Sequence, residues 1–325
     1  LAATGSRADW RTDSGWFILS SELGAAMPAG AEIEVLHCEA DADGTAGAPY
    51  VYLPLATAAT PFAGTGAYSG KTFNALTGPG PLSHHADSVG SIFYGPTGLS
   101  NGVTTIHCHE VNNYFDELTG ASTPPVWSGT VQNFSWIGTT GVMSADADAL
   151  RRFDFALDRD GRLAVVGMNN DTGPVPALMA CSWHAISAGL LSGTHGRNGT
   201  VIDVAGRMKP DLVVHEGLTS YAAPAIASAA ALLYDTIRPG FPDADHPQVV
   251  KALLLAAASK KNLPAWQRDA STEPYDDVFG AGELNILHAH HMLVRGRQPY
   301  STSSEVAALG WDFTAASSSI PRRYF

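Results

Sequence analysis

The 325-residue chain is 45% hydrophobic and only 15% charged, with 19 basic against 31 acidic residues for a formal charge of −12. Recurrent apolar runs exclude a disordered chain, and the acidic balance argues against a nucleic-acid ligand, because neutralising phosphates needs clustered Lys and Arg. The longest apolar stretch, Tyr221 to Tyr234, is shorter than the roughly 20 residues of a membrane span and contains Pro224, and three cysteines allow at most one internal disulfide.

In chain order, residues 1–30 read as a lead-in segment. The start at Leu1, without a basic and then apolar leader, reads as a processing boundary and, with the acidic balance, suggests a secreted protein. Short apolar runs at Ile33–Cys38, Val103–Cys108, Val131–Trp136, Leu163–Met168 and His184–Gly189 predict strands buried on both faces. Helical stretches are expected at about 85–95, 144–159, 219–236, 246–259 and 283–294. Leu53–Pro81, rich in Gly, Ala, Thr and Pro, reads as a long surface connection, and Ser144 reads as the N-cap of its helix. Strands alternating with helices predict an α/β fold: a doubly wound, mostly parallel sheet with helices on both faces. No charged linker and no internal repeat divides the chain. One domain over 31–298 is expected, with a tail or the start of an appended module at 299–325.

One helix start carries chemistry. In Thr219-Ser220-Tyr221-Ala222-Ala223-Pro224, the expected helix N-terminus places Ser220 where free N–H groups favour developing negative charge, with Pro224 expected in the first turn. This segment resembles the T-S-x-A-x-P nucleophile motif of the subtilisin-like serine peptidases. Gly206-Arg207-Met208-Lys209-Pro210-Asp211-Leu212 is similar to that family's G-x-x-K-P-D-[LIV], and His85-Ala86-Asp87-Ser88-Val89-Gly90 to its histidine helix. Val131-Gln132-Asn133-Phe134-Ser135-Trp136-Ile137-Gly138 resembles the substrate strand, and Phe279-Gly280-Ala281-Gly282-Glu283-Leu284-Asn285 the closing turn. The five motifs run in family order over about residues 30–295.

The resemblance implies a subtilisin-like fold and a serine endopeptidase working through an acyl-enzyme. Ser220 would be the nucleophile and His85, rather than His84, its base. The family places Asp after the first strand; here Glu39 fills that position, with Asp41 as the alternative. The oxyanion donor falls on Asn170, with Asn169 aligned on a family Gly and therefore expected to tolerate a left-handed backbone. Ser135, Trp136, Ile137 and Gly138 would bind substrate as an added strand. Leu218 replaces the Gly that precedes Thr-Ser and is expected to crowd the nucleophile turn or tighten access. Only eight residues separate Asp211 from Ser220, fewer than many members use.

The order acid, histidine, serine differs from that of α/β-hydrolases, and no G-x-S-x-G elbow occurs. Two other readings stand beside the peptidase. One is a non-catalytic binding protein on the same fold. The other is a metal-dependent hydrolase using His37, Cys38, His107, His109, His288, His290 and His291, although H-E-x-x-H and C-x-x-C are absent. No metal and no cofactor is expected; structural calcium, common in the family, has no assignable loop. A monomer acting on a peptide or protein is expected, with no nucleic-acid partner.

Overall fold

The structure, a computed structural model, describes residues 9–40, 53–54, 62–77, 80, 82–267 and 275–297. Asp41 and the tail expected over 299–325 lie outside them. Two short helices come first, α1 (Trp10–Asp13) and α2 (Trp16–Leu23). Then follow β1 (Glu34–Glu39), β2 (Phe62–Ala63), β3 (Thr72–Ala75), α3 (His84–Phe93), β4 (Thr105–Glu110), α4 (Val111–Gly120), β5 (Val131–Phe134), α5 (Met143–Asp160), β6 (Leu163–Gly167) and β7 (Ile186–Leu190). A small ribbon of β8 (Asn198–Gly199) and β9 (Met208–Lys209) precedes β10 (Leu212–Val214), α6 (Thr219–Gly240), α7 (Pro247–Ala256) and α8 (Ile286–Val294). The main sheet has eight strands in the order β10-β7-β6-β5-β1-β4-β3-β2, all parallel except the short β2. This is the doubly wound α/β arrangement, with β1 at its centre.

Alternation along each strand divides the core into two layers. Val35 and Cys108 face a cluster that includes α6 and α3, whereas Leu36 and Cys38 face one built with α4 and α5. Helix α6 is buried along almost its whole length. Its alanines, among them Ala223, Ala227, Ala230 and Ala231, carry no exposed surface, and small side chains let the helix lie close on the strands. Within the helix, Ser228 Oγ accepts from the Leu99 and Ser100 N–H groups at 2.7 and 2.9 Å, satisfying a buried loop. All three cysteines are buried and unpaired, as small core residues.

Four expectations are corrected. Leu53–Pro81 is not a surface connection throughout: it contains β2 and β3, and Tyr68 and Phe73 are fully buried against Tyr94. Its Gly and Thr content conceals a four-residue strand whose inward positions alone are apolar. The helix expected from Ser144 begins at Met143 with Val142 at the N-cap, because Asp146 reaches back to Thr140 N–H and Thr139 Oγ1, each at 2.7 Å, and turns the chain there. The last helix starts at Ile286, capped by Asn285, since Glu283 is held extended between Val213 and Ser259. The first 30 residues hold α1 and α2, and Trp10 and Leu19 are buried in the main core.

The Lys209–Asp211 step, whose spacing is that of the K-P-D motif, is a buried ionic knot. Asp211 Oδ2 accepts from Lys209 Nζ at 2.7 Å and from Ser187 N and Oγ at 2.8 and 2.9 Å. Burial pushes the Asp211 carboxyl up, but the Lys209 and Lys251 charges and the hydrogen bonds reverse this and hold it at about 2, below the ordinary 3.8. Between those values the unfolded chain binds the proton and the folded chain does not, so this contribution is complete above about pH 4 and is lost as pH falls toward about 2. Asp211→Asn is expected to lower stability at pH 7 by about 3 kcal/mol. It should also flatten the acid limb between about pH 4 and 2, read by urea unfolding across that range.

Candidate active site

In a parallel α/β sheet, residues just after the carboxyl ends of strands share one rim. Glu39 ends β1, Ser135 follows β5, Asn170 follows β6 and Ser220 follows β10 at the second position of α6. His85 is the second residue of α3, which follows β3 in the chain and packs against α6. The fold therefore brings the sequence-predicted residues to a single edge of the sheet.

Glu39 is completely buried, so each carboxylate oxygen needs a partner. Oε1 accepts from His85 Nδ1 at 2.9 Å and from Ala40 N–H at 3.0 Å. Oε2 accepts from His37 Nε2 at 3.1 Å, and His37 Nδ1 lies 3.0 Å from Tyr94 Oη. With Glu39 ionised, both imidazoles donate to it. In the neutral His37 tautomer that donates from Nε2, Nδ1 accepts a hydrogen bond from the Tyr94 hydroxyl. Burial pushes the Glu39 carboxyl up, and the hydrogen bonds and charges of His37 and His85 overcome that and leave it below the usual carboxylate range. Ser83 caps α3 by accepting from Ala86 N–H at 3.1 Å, which fixes the helix start that presents His85. Gly90 is required one turn before Tyr94: a Cβ there would lie 2.7 Å from the Tyr94 hydroxyl oxygen.

The sequence singles out His37 only as a candidate metal ligand, and Tyr94 not at all. The available signal was the two-residue spacing His37–Glu39, which puts both side chains on one face of β1. The same register separates the histidines of the metal reading. Cys38 pairs with His109 and Leu36 with His107, so those imidazoles lie on the opposite face from His37. Each has its own acceptor: His107 meets Glu34 at 3.0 Å, His109 meets Glu117 at 3.3 Å and His291 meets Glu22 at 2.7 Å.

Ser220 is positioned through its main chain. Pro224 is the sixth residue of α6 rather than a first-turn residue, and its missing N–H leaves the Ser220 carbonyl without its helical donor. Ser135 Oγ fills that role at 3.0 Å, itself accepting from Asn133 Nδ2 at 2.9 Å, while Ser220 Oγ lies 3.5 Å from the Ser135 carbonyl oxygen. At the helix start, Thr219 N–H donates to Asn170 Oδ1 at 2.8 Å, and Tyr221 and Ala222 N–H both bond Leu218 O. The Ser220 N–H has no acceptor among the described residues. Because Thr219 N–H can only donate, the Asn170 oxygen must face it, and its Nδ2 points the other way.

Asn169 is distinguished from Asn170 by its contacts. Its Nδ2 donates to Asp171 Oδ1 at 2.5 Å, closing a local turn, and it does not adopt the left-handed backbone expected from alignment on a glycine. Leu218 is extended (φ −139°) and 39% exposed, so its side chain lies at the surface instead of crowding the turn. In the expected substrate strand, Ser135 and Trp136 are buried and Ile137 is exposed. The Gly138 carbonyl accepts from Leu178 N–H at 3.1 Å in an antiparallel bridge, so the molecule itself occupies that end of the strand.

No helix among the described residues is long and apolar enough to cross a membrane. No family model matches the sequence, and no curated protein matches it. Solved structures do match in fold. A lanthipeptide protease is 14% identical with a TM-score of 0.55, covering 88% of this chain and 94% of its own. The prenylagaramide maturation protease PagA is 19% identical with a TM-score of 0.51, over 80% of this chain and 92% of its own. The patellamide maturation protease PatA is 18% identical with a TM-score of 0.51, over 82% and 98%. The chain thus carries the subtilisin-like α/β fold, shared with these proteases over most of its length.

Proposed function

We propose that the protein is a serine endopeptidase that cleaves peptide bonds through Ser220, His85 and Glu39. The observation that carries this reading is the 2.9 Å contact between His85 Nδ1 and the buried Glu39 carboxylate. A carboxylate there fixes the imidazole tautomer, with the lone pair on Nε2, and stabilises the imidazolium. Ser220 Oγ attacks the peptide carbonyl carbon while His85 Nε2 takes its proton. The C–N bond then breaks, His85 returns the proton to the leaving amine, and water hydrolyses the acyl-enzyme by the same route in reverse. The Ser220 N–H and Asn170 Nδ2 would hold the oxyanion, a role supported by the unpartnered N–H and by the Thr219 contact that sets the amide's orientation.

Substrate backbone would align beside Ser135–Ile137, by strand addition. Exposed Ile137 and Leu218 flank, in sequence, the contacting pair Ser135 and Ser220, and favour apolar side chains near the scissile bond. The fold neighbours named for maturation of prenylagaramide and patellamide make precursor peptides a suitable substrate class to include.

Labelling with a fluorophosphonate, read by mass spectrometry, tests the reading. Adduct is expected on Ser220 and none in Ser220→Ala or His85→Ala. A folded wild-type protein that takes no label and cleaves no peptide would instead be the non-catalytic binding protein. Glu39→Gln is expected to lower kcat by about 10⁴, and Asn170→Ala by about 10²–10³, measured on one peptide substrate.

His37 is a positioning residue in this scheme. His37→Phe removes the donor to Glu39 Oε2 and leaves the carboxylate free to rotate. It is expected to lower kcat about 10–10²-fold with little change in KM. His37→Gln, which keeps a donor, should recover most of that loss. Equal loss in both variants would mean that His37 serves packing alone.

A further inference from the structure

Three side chains from distant parts of the sequence converge where the end of α1, the end of β10 and the segment before α8 meet. Asp13 ends α1, His215 follows β10 and Glu283 lies in the extended segment before α8. One potential ligand atom from each falls within 4.8 Å of the other two. His215 Nδ1 and Asp13 Oδ2 are 2.8 Å apart. Glu283 is only 2% exposed; Oε2 accepts from Asn262 Nδ2 at 2.9 Å, but Oε1 is buried with no hydrogen-bond partner. A buried carboxylate oxygen without a donor costs free energy that a cation would recover.

The backbones carrying the three groups are fixed independently of any ligand. Glu283 exchanges N–H···O bonds with Ser259 at 2.8 and 2.9 Å, and Leu284 N–H bonds Val213 O at 2.9 Å. The Ser14 carbonyl accepts from Ile286 N–H at 2.9 Å, docking the end of α1 on the start of α8. A carboxylate oxygen of Glu283 and one of Asp13 lie within 4.8 Å of each other and of a His215 ring nitrogen. Two carboxylates are thus held close together, one of them buried.

We propose that Asp13, His215 and Glu283 bind one divalent transition-metal ion, zinc foremost. An imidazole with two carboxylates suits such an ion, with water as a fourth ligand. Calcium and magnesium prefer all-oxygen shells and more ligands. Tetrahedral zinc, with bonds of about 2.0–2.2 Å, needs its ligand atoms about 3.3 Å apart, so the His215–Asp13 pair, now 2.8 Å apart, would open slightly and Glu283 would draw in, both by small side-chain movements. The ion would clamp α1 to β10 and to the segment before α8, a structural role independent of the peptidase chemistry.

Untagged protein, stripped with a chelator and dialysed, is titrated with ZnCl2 by calorimetry, with metal content checked by elemental analysis. One zinc per chain is expected at micromolar affinity or tighter, together with a higher melting temperature. His215→Ala, at a site 43% exposed and so expected to fold, should weaken binding at least tenfold and abolish the thermal shift. Glu283→Gln should do the same. Absence of stoichiometric zinc binding in the wild type would overturn the proposal. So would unchanged binding in His215→Ala, which would assign the metal to other surface histidines.

Discussion

A carboxylate with no access to water sits at the end of the central strand, and its two oxygens dictate much of what surrounds it. Glu39 must be neutralised in effect by donors, and the fold supplies one imidazole on each side. His37 comes from the same strand face, two residues earlier, and costs the fold nothing in topology. His85 comes from α3, so the helix has to begin at one place and in one orientation. Tyr94 then completes the far side of His37 and packs among Tyr68, Phe73 and Phe93. Through that aromatic cluster, the polar site is tied to the short strand β3 and the edge of the sheet.

The second constraint is Pro224. A proline at the sixth position of a buried helix would ordinarily leave a carbonyl unsatisfied in the core. Here that carbonyl belongs to Ser220, and the hydroxyl of Ser135 reaches it from the end of β5. The apparent helix defect therefore joins the backbone of Ser220, the proposed nucleophile, to the strand proposed to receive substrate. Asn170 adds a third attachment through Thr219. Ser220 is thus held by main-chain contacts while its own side chain and N–H stay uncommitted to the helix ladder, an arrangement suited to preorganised chemistry.

Much of this was legible in the sequence because burial on both faces makes parallel strands nearly continuous apolar runs. The five predicted strands correspond to β1, β4, β5, β6 and β7, and the order of motifs singled out Glu39, His85, Asn170 and Ser220, each of which lies at or just after the end of a strand or at the start of a helix on one rim. What escaped depends on contacts between distant residues. β3 has few apolar positions in a Gly- and Thr-rich stretch, and its burial is set by Tyr68 and Tyr94. α4 follows β4 without a break, its cap being Glu110, which also ends the strand. Thr219 gave no sign that it orients Asn170, since a short polar side chain reveals its partner only in three dimensions.

Glutamate at position 39 is longer by one methylene than aspartate would be, and that length connects it to His37. A carboxyl group on the longer side chain reaches farther from the strand by about one C–C bond, roughly 1.5 Å, and has an additional torsion to fix. An aspartate so placed could be held largely by its own backbone turn. Glutamate needs a second anchor, and Ala40 N–H secures only the oxygen already shared with His85. The anchor must reach Oε2 from within a dry layer. His37 satisfies this from the strand itself, and Gly90 leaves the space in which Tyr94 can orient it. Glu39, His37, Tyr94 and Gly90 are therefore best regarded as one unit: changing the acid's length alters the requirement for the other three.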